Sequence, residues 1–219
     1  MKIVSVNVGL PIEASWKGKT VTTGIFKSPV NGSITLRKHN LDGDKQADLS
    51  VHGGPTKAVY VYPLQHYTYW REELAPMDLP YGSFGENFTV EGVDEESICI
   101  GDEFKVGTAQ VYVTEPRMPC FKLGIRFDRE DMVKRFLKSQ RTGFYFGIVE
   151  EGQVQSGDTL EPLTRNSNGL RVADVTRLYT IERGNIELLR KAASIQALPE
   201  SWRGYFEYQI EKLNQQGSK

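Results

Sequence analysis

Apolar and polar residues alternate from Lys2 to Val8, and that period of two predicts a half-buried β-strand. A β-branched run, Thr20 to Phe26, predicts a second strand that ends at the turn residues Pro29, Asn31 and Gly32. Ala58 to Tyr62 is continuously apolar and reads as a buried strand. Pro63 suits the first turn of a helix, where its missing N–H is no loss, and Leu64, Tyr67, Trp70 and Leu74 then follow at helical spacing. Tyr81 to Val90 reads as a loop and short strand. Ile98-Cys99-Ile100 reads as a buried strand, Gly101-Asp102 as a plain turn, and Phe104 to Thr114 as a hairpin turning at Gly107-Thr108. Asp128 is placed to cap a helix running towards Lys138, and Phe144 to Val149 is another strand.

The pattern changes after Asn166-Ser167-Asn168-Gly169, which reads as a linker. Val172–Tyr179, Asn185–Ile195 and Pro199–Leu213 are amphipathic at helical period, with Asn185 as an N-cap. The division therefore falls near residue 168: a β-rich body over 1–167 and a three-helix tail over 168–219.

Composition narrows the function classes. The chain has 219 residues, 27 Lys plus Arg against 28 Asp plus Glu, and a formal charge of −1. Such a balance argues against a nucleic-acid or anionic-membrane coat, while leaving room for a local basic pocket. The tail mixes Arg171, Arg177, Arg183, Arg190 and Arg203 with Asp174, Glu182, Glu187, Glu200, Glu207 and Glu211, which reads as a solvated helix surface rather than a DNA-binding face. The two cysteines, Cys99 and Cys120, can build neither a disulfide framework nor a four-cysteine zinc site. No apolar run approaches the ~20 residues of a membrane span, and the N-terminus lacks a signal-peptide core. A cytoplasmic location is the expectation. No sequence feature speaks to the oligomeric state.

Four loops concentrate the residues that carry chemistry: Gly43-Asp44 through Asp48, His52-Gly53-Gly54-Pro55-Thr56-Lys57, Phe84-Gly85-Glu86-Asn87, and Arg117-Met118-Pro119-Cys120. Glycines let backbone N–H groups approach an anion, and Lys and Arg neutralise it. Cys120 between Arg117 and Lys122 lies in an electropositive setting that favours nucleophilic attack or soft-metal ligation. Against this stands the ordinary role of cysteine as a small buried hydrophobe, which Cys99 fits better. His52 can be a ligand contact or proton donor, or can simply bond a turn. Asn87 can serve a ligand, or be a turn residue. His66 belongs on the helix surface or packed against it. The aromatics Tyr60, Tyr62, Tyr67, Tyr69 and Trp70 read as packing residues.

As an ordered set these loops resemble the MOSC domain, named for the C-terminal part of molybdenum-cofactor sulfurases. The resemblance is carried by Gly43-Asp44 with Ala47-Asp48, Val51-His52-Gly53-Gly54, Lys57-Ala58-Val59, Phe84-Gly85-Glu86-Asn87, Gly101-Asp102, and Pro116-Arg117-Met118-Pro119-Cys120 with Lys122. It is clearest over residues 40 to 163, and the helical tail resembles the extension of YiiM-type stand-alone MOSC proteins. The chain departs from the mitochondrial amidoxime-reducing relatives in lacking their separate N-terminal β domain. It also departs from full sulfurases in lacking a fused aminotransferase-like domain.

The resemblance implies a mostly β, α+β fold, with a barrel-like body, a few helices and the three-helix tail. It implies a molybdenum cofactor (molybdopterin) with Cys120 as the metal ligand. Arg117, Lys57 and the Gly53-Gly54 backbone would hold the anionic pterin, and His52 and Asn87 would face the metal's open position. The implied activity is reduction of N-hydroxylated bases or related compounds. A separate reductase would supply electrons, since the chain offers no flavin, haem or iron–sulfur motif. The alternative is a non-catalytic carrier of cofactor, or of sulfur as a Cys120 persulfide. Neither reading calls for nucleic acid or membrane as a partner.

Overall fold

Strand β1 (Lys2–Val8) forms where the alternation predicts, but not with one face in water. The computed structural model describes residues 1–47 and 53–217, and in it β1 lies between two other strands. A register shift between Ile3 and Ser5 turns both Ile3 and Val6 into the core. It also buries Ser5 and Asn7, which bond each other at 2.7 Å. A hairpin follows, β2 (Ile12–Trp16) and β3 (Lys19–Thr23), joined by Lys17 and Gly18 at positive φ. The β-branched run therefore ends as a strand at Thr23, not Phe26. A Cβ on Gly24 would stand 2.5 Å from the Lys45 carbonyl oxygen, so the chain there is committed to a close backbone approach.

Two short strands, β4 (Ser28–Pro29) and β5 (Ile34–Leu36), precede β6 (Val59–Pro63). Pro63 is the last residue of β6 rather than the first of the helix, and α1 runs Gln65–Glu73. That helix is the crossover to β7 (Phe88–Glu91), which pairs parallel with β6, as a parallel pair requires. The hairpin β8 (Glu103–Val106) and β9 (Ala109–Pro116) turns at Gly107-Thr108. Past β9 come α2 (Phe121–Phe127), α3 (Met132–Ser139), β10 (Phe144–Glu150), β11 (Gly152–Val154) and β12 (Leu160–Thr164). Asp128 caps the C-terminal end of α2 at φ 49° instead of starting the next helix, whose N-cap is Asp131. Ile98-Cys99-Ile100 is not a strand. Cys99 makes a single bridge to Arg171, and burial pushes its thiol pKa up.

Eight strands form the main sheet in the order β12-β8-β9-β10-β6-β7-β1-β4. The fold is thus mixed α+β, with six helices among the described residues, and the barrel-like body implied by the resemblance is corrected to an open sheet. Its end strands, β12 and β4, do not pair with each other among the described residues. An isolated bridge, Lys2 to Thr159, draws β1 towards the start of β12 without closing the ladder.

The strand period of two divides β6 between two cores. Val59 and Val61 join the larger core with Ile3, Phe88, Val113 and Phe146, whereas Tyr60 and Tyr62 join a second core under α1, α2 and α3. Burial on both faces is why this segment reads as an uninterrupted apolar run. Phe84 lies at the middle of the second core, its ring centroid 4.7–5.7 Å from those of Tyr62, Tyr67, Trp70 and Phe127. Phe84→Ala is expected to lower unfolding free energy by ~3–5 kcal/mol in urea titration.

The tail comprises α4 (Val172–Thr180), α5 (Ile186–Ser194) and α6 (Glu200–Gly217). The Asn185 side chain caps α5 by accepting from Leu188 N at 3.2 Å. Val172, Val175, Leu189, Trp202 and Phe206 share the larger core with the sheet. The segment before α4 is anchored as well: Asn166 N donates to Asp102 Oδ1 at 2.7 Å, and Asn168 Nδ2 to the Ile100 carbonyl at 2.7 Å. No helix among the described residues is long and apolar enough to cross a membrane.

Candidate functional site

Three of the four glycine- and charge-rich loops meet the β9–α2 connection at one cleft of about 670 Å³. Gly53, Lys57, Asn87, Arg117 and Cys120 all line it. His52 and Asp48 lie outside the described residues. Gly54 follows Gly53, both at positive φ (98° and 88°), a backbone course open to glycine and poor for other residues.

Cys120 is half-buried, at the N-cap of α2 with extended backbone (φ −119°, ψ 175°), and neither cysteine is in a disulfide. The helix was not evident in the sequence, yet it fixes where the thiol stands. No group of three or more His, Cys, Asp or Glu side chains that could hold a metal occurs among the described residues.

Arg117 gives the clearest sign of a missing anion. Its guanidinium is 6% exposed and lies over the rings of Tyr60 and Phe136, at 5.2 and 5.0 Å. Its Nη1 finds no hydrogen-bond partner among the described residues. A buried guanidinium with no carboxylate partner among the described residues and with an idle donor is costly to keep. The cleft it lines explains that cost if an anion enters. Tyr145, also at the wall, has its pKa raised to about 12 by burial, so its hydroxyl stays protonated and available as a donor.

Asn87 stands in the wall, but the fold uses most of its amide. Its Nδ2 donates to Asp44 Oδ2 at 3.0 Å and to the Asn7 carbonyl at 3.2 Å, while its Oδ1 accepts from Tyr60 N at 3.0 Å. Only a second Oδ1 lone pair is left for a ligand. Asp44 is similarly engaged, accepting from Gly9 N at 2.9 Å and pairing with Lys27. Burial lowers the pKa of Lys27, with Asp44 acting against the shift. Glu86 is a purely internal knot: it accepts from Gly82 N at 2.8 Å, Phe84 N at 3.1 Å, Thr89 Oγ1 at 2.9 Å and the Tyr67 hydroxyl. His66, in the first turn of α1 and packed rather than exposed, bonds Glu95 at 2.8 Å and does not line the cleft.

Sequence reasoning missed Lys27, Tyr60, Tyr145 and Gly24 as cleft residues. None stands in a recognisable motif. Tyr60 and Tyr145 arrive there by pairing of β6 with β10, register Tyr145 to Tyr60.

Comparison with known proteins gives this geometry a family. The MOSC domain model matches residues 48–161, and the YiiM-like 3-alpha helix domain model matches 172–213. The chain belongs to the MOSC domain family. It has the architecture of the YiiM-type stand-alone MOSC proteins. It is 42% identical over 211 residues to the uncharacterized protein YflK of Bacillus subtilis, covering 96% of this chain and 95% of that one. It is 35% identical to the protein YiiM of Escherichia coli, over 75% of this chain and 71% of the relative. A protein named reductase from Gibberella moniliformis is 33% identical over 81% of this chain, a span equal to 32% of that longer protein. Among solved structures, YiiM of Geobacillus stearothermophilus superposes with a TM-score of 0.80 at 33% identity, covering 95% of this chain and 98% of the other. This MOSC protein therefore has a molybdenum-cofactor-related role by family.

Proposed function

We propose that this MOSC protein is a molybdenum-cofactor-dependent reductase of N-hydroxylated bases or related compounds, with Cys120 as the metal ligand. The observation that carries the reading is Arg117, a buried guanidinium with an idle Nη1 on the wall that Cys120 also lines. Lys45, Lys57 and Lys122 add positive charge to the same cleft. The donor set fits an anionic, sulfur-rich metal cofactor: one soft thiolate for the metal and several cations for the phosphate-bearing pterin. The name of the Gibberella relative, reductase, points the same way.

When bound, the cofactor would supply two-electron redox chemistry, reloaded by a separate reductase protein. The chain's part is to bind and orient. Arg117 and Lys57 would hold the phosphate-bearing part, Arg117 by directed hydrogen bonds and Lys57 as a mobile point charge. The Gly53-Gly54 backbone would approach it without side-chain hindrance. Tyr145, protonated at neutral pH, would donate a hydrogen bond into the cleft. His52 is proposed as the proton source for the departing hydroxyl, and Asn87 as a wall that presents its remaining lone pair.

Turnover of an N-hydroxylated base to the free base, with a chemical or protein electron donor, tests the reading. Product formed in proportion to bound molybdenum supports it. Fully loaded protein that reduces no N-hydroxylated compound sinks the enzyme reading and favours the carrier. Lys57→Ala is expected to raise the cofactor dissociation rate several-fold, read by pterin fluorescence after oxidation of the released material, with Cys120 left in place.

A further inference from the structure

A second cleft, of about 880 Å³ including its open mouth, also borders Cys120 and is lined by residues of both the body and the helical tail. It shares Lys57, Met118, Cys120 and Tyr145 with the first. A molecule lying in it would therefore end against the residues that close the cofactor cleft. Its remaining walls differ in chemistry: Tyr179 of α4, Trp202 and Tyr205 of α6, and one carboxylate, Glu115 of β9.

The charge is segregated between the two clefts. The first is lined by Lys27, Lys45, Lys57, Arg117 and Lys122 and by no carboxylate among the described residues. The second has Glu115, the only carboxylate lining either cleft among the described residues. Glu115 is 4% exposed and rigidly held: Trp202 Nε1 donates to its Oε2 at 2.8 Å and Thr56 Oγ1 to its Oε1 at 3.0 Å. Its nearest cation, Lys57 Nζ, stands at 3.8 Å, beyond hydrogen-bond reach. Lys57 also borders the first cleft, where an anionic cofactor would compete for it. Burial raises the Glu115 pKa, and Lys57 and the two hydrogen bonds counter that only in part. Each carboxylate oxygen retains a lone pair, so a ligand offering N–H donors gains most by arriving there.

The aromatic walls set the ligand's shape. Trp202 is edge-on to Tyr179 (centroids 5.7 Å apart, 78°) and to Tyr205 (6.2 Å, 89°). The three rings thus form a corner with faces in more than one plane, suited to a flat π-system or a delocalised cation.

We infer that the second cleft is the substrate subsite, and that Glu115 is the residue that selects planar aromatic compounds carrying an amidine-type N–H group and orients their nitrogen towards Cys120. This rests on the proposed reductase reading for the identity of the reaction, but not for the binding itself.

The test uses the full chain without cofactor and benzamidine as the probe, the flat amidine that reduction of its N-hydroxy form would leave. Binding is followed at the indole N–H resonance of Trp202, assigned with Trp202→Phe. Benzamidine is expected to shift that resonance saturably and to bind about tenfold or more tightly than benzoate or benzamide. Glu115→Gln, which keeps an oxygen to accept from Trp202 while the Thr56 hydroxyl can turn to accept from the new amide, is expected to weaken it about tenfold, the loss typical of a charge-assisted hydrogen bond. Tyr205→Leu, outside the carboxylate's bonding, is expected to weaken it several-fold, and decides the matter should Glu115→Gln fold poorly. Equal binding of benzoate, or unchanged benzamidine affinity in a folded Glu115→Gln, overturns the assignment. Selective benzamidine binding by a protein that never takes up molybdenum supports the subsite while the cofactor reading falls. Molybdenum loading with no selective benzamidine binding overturns the subsite and leaves the cofactor reading standing.

Discussion

Cys120→Ser is expected to emerge without molybdenum from a host that makes the cofactor, with a melting temperature within a few degrees of the parent. The two halves of that result follow from different features. Serine keeps nearly the size of cysteine, and the residue is only half-buried at the start of α2, so packing changes little. Its N-cap role survives too, because serine is a preferred cap residue. The hydroxyl, however, is a hard donor that stays protonated at neutral pH, whereas a metal already surrounded by sulfur favours a soft thiolate. With no cluster of three other metal-ligating side chains among the described residues, nothing there compensates. Molybdenum measured per protein chain, beside a thermal melt, separates this from a structural cysteine. A structural Cys120 would lower the melting temperature and leave metal occupancy intact.

Arg117→Met is expected to have opposite effects on the empty and the loaded protein. In the empty protein a buried guanidinium with an idle Nη1, and with no carboxylate partner among the described residues, is replaced by an apolar side chain that can keep contact with Tyr60 and Phe136. Replacement of buried charge by well-packed apolar groups is often neutral or stabilising, so the melting temperature of the cofactor-free variant should match or exceed the parent's. Cofactor affinity should fall about 10- to 100-fold, since a hydrogen bond to a charged group contributes ~1.5–3 kcal/mol. Thermal melts of both proteins, with and without cofactor, read both effects. A variant that melts well below the parent when empty, yet retains cofactor as well, would make Arg117 a structural residue.

The elements most legible in the sequence were those whose local signal and tertiary setting agree. The tail helices, the β8–β9 hairpin and α1 all carry a clear period, cap or turn signal. Misreadings fell where tertiary contacts decide. Asp128 is a good N-cap residue locally, but the chain uses it in left-handed geometry to end α2. Cys99 lies in an apolar triplet, but it faces the segment before α4 and no strand. Closure of the sheet could not be read from strand positions, because it depends on how the end strands meet.

The same division holds at the cleft. Gly53, Lys57, Arg117 and Cys120 stood out because glycine, cation and thiol share short loops. Asn87 belongs to such a loop too, yet its hydrogen bonds bind β1, β6 and Asp44 into one unit, a use that spacing does not reveal. Glu115 was passed over for the converse reason. It lies in a strand next to Pro116 with no motif of its own, and acquires its setting only when α6 brings Trp202 against it.

The most direct test of the account is the molybdenum and pterin content of the parent protein, expressed in a cofactor-competent host and purified without oxidation. The account predicts close to one molybdenum and one pterin per chain. Neither molybdenum nor pterin, even after reconstitution with free cofactor, together with a labile sulfur on Cys120, would contradict it and make the protein a sulfur carrier.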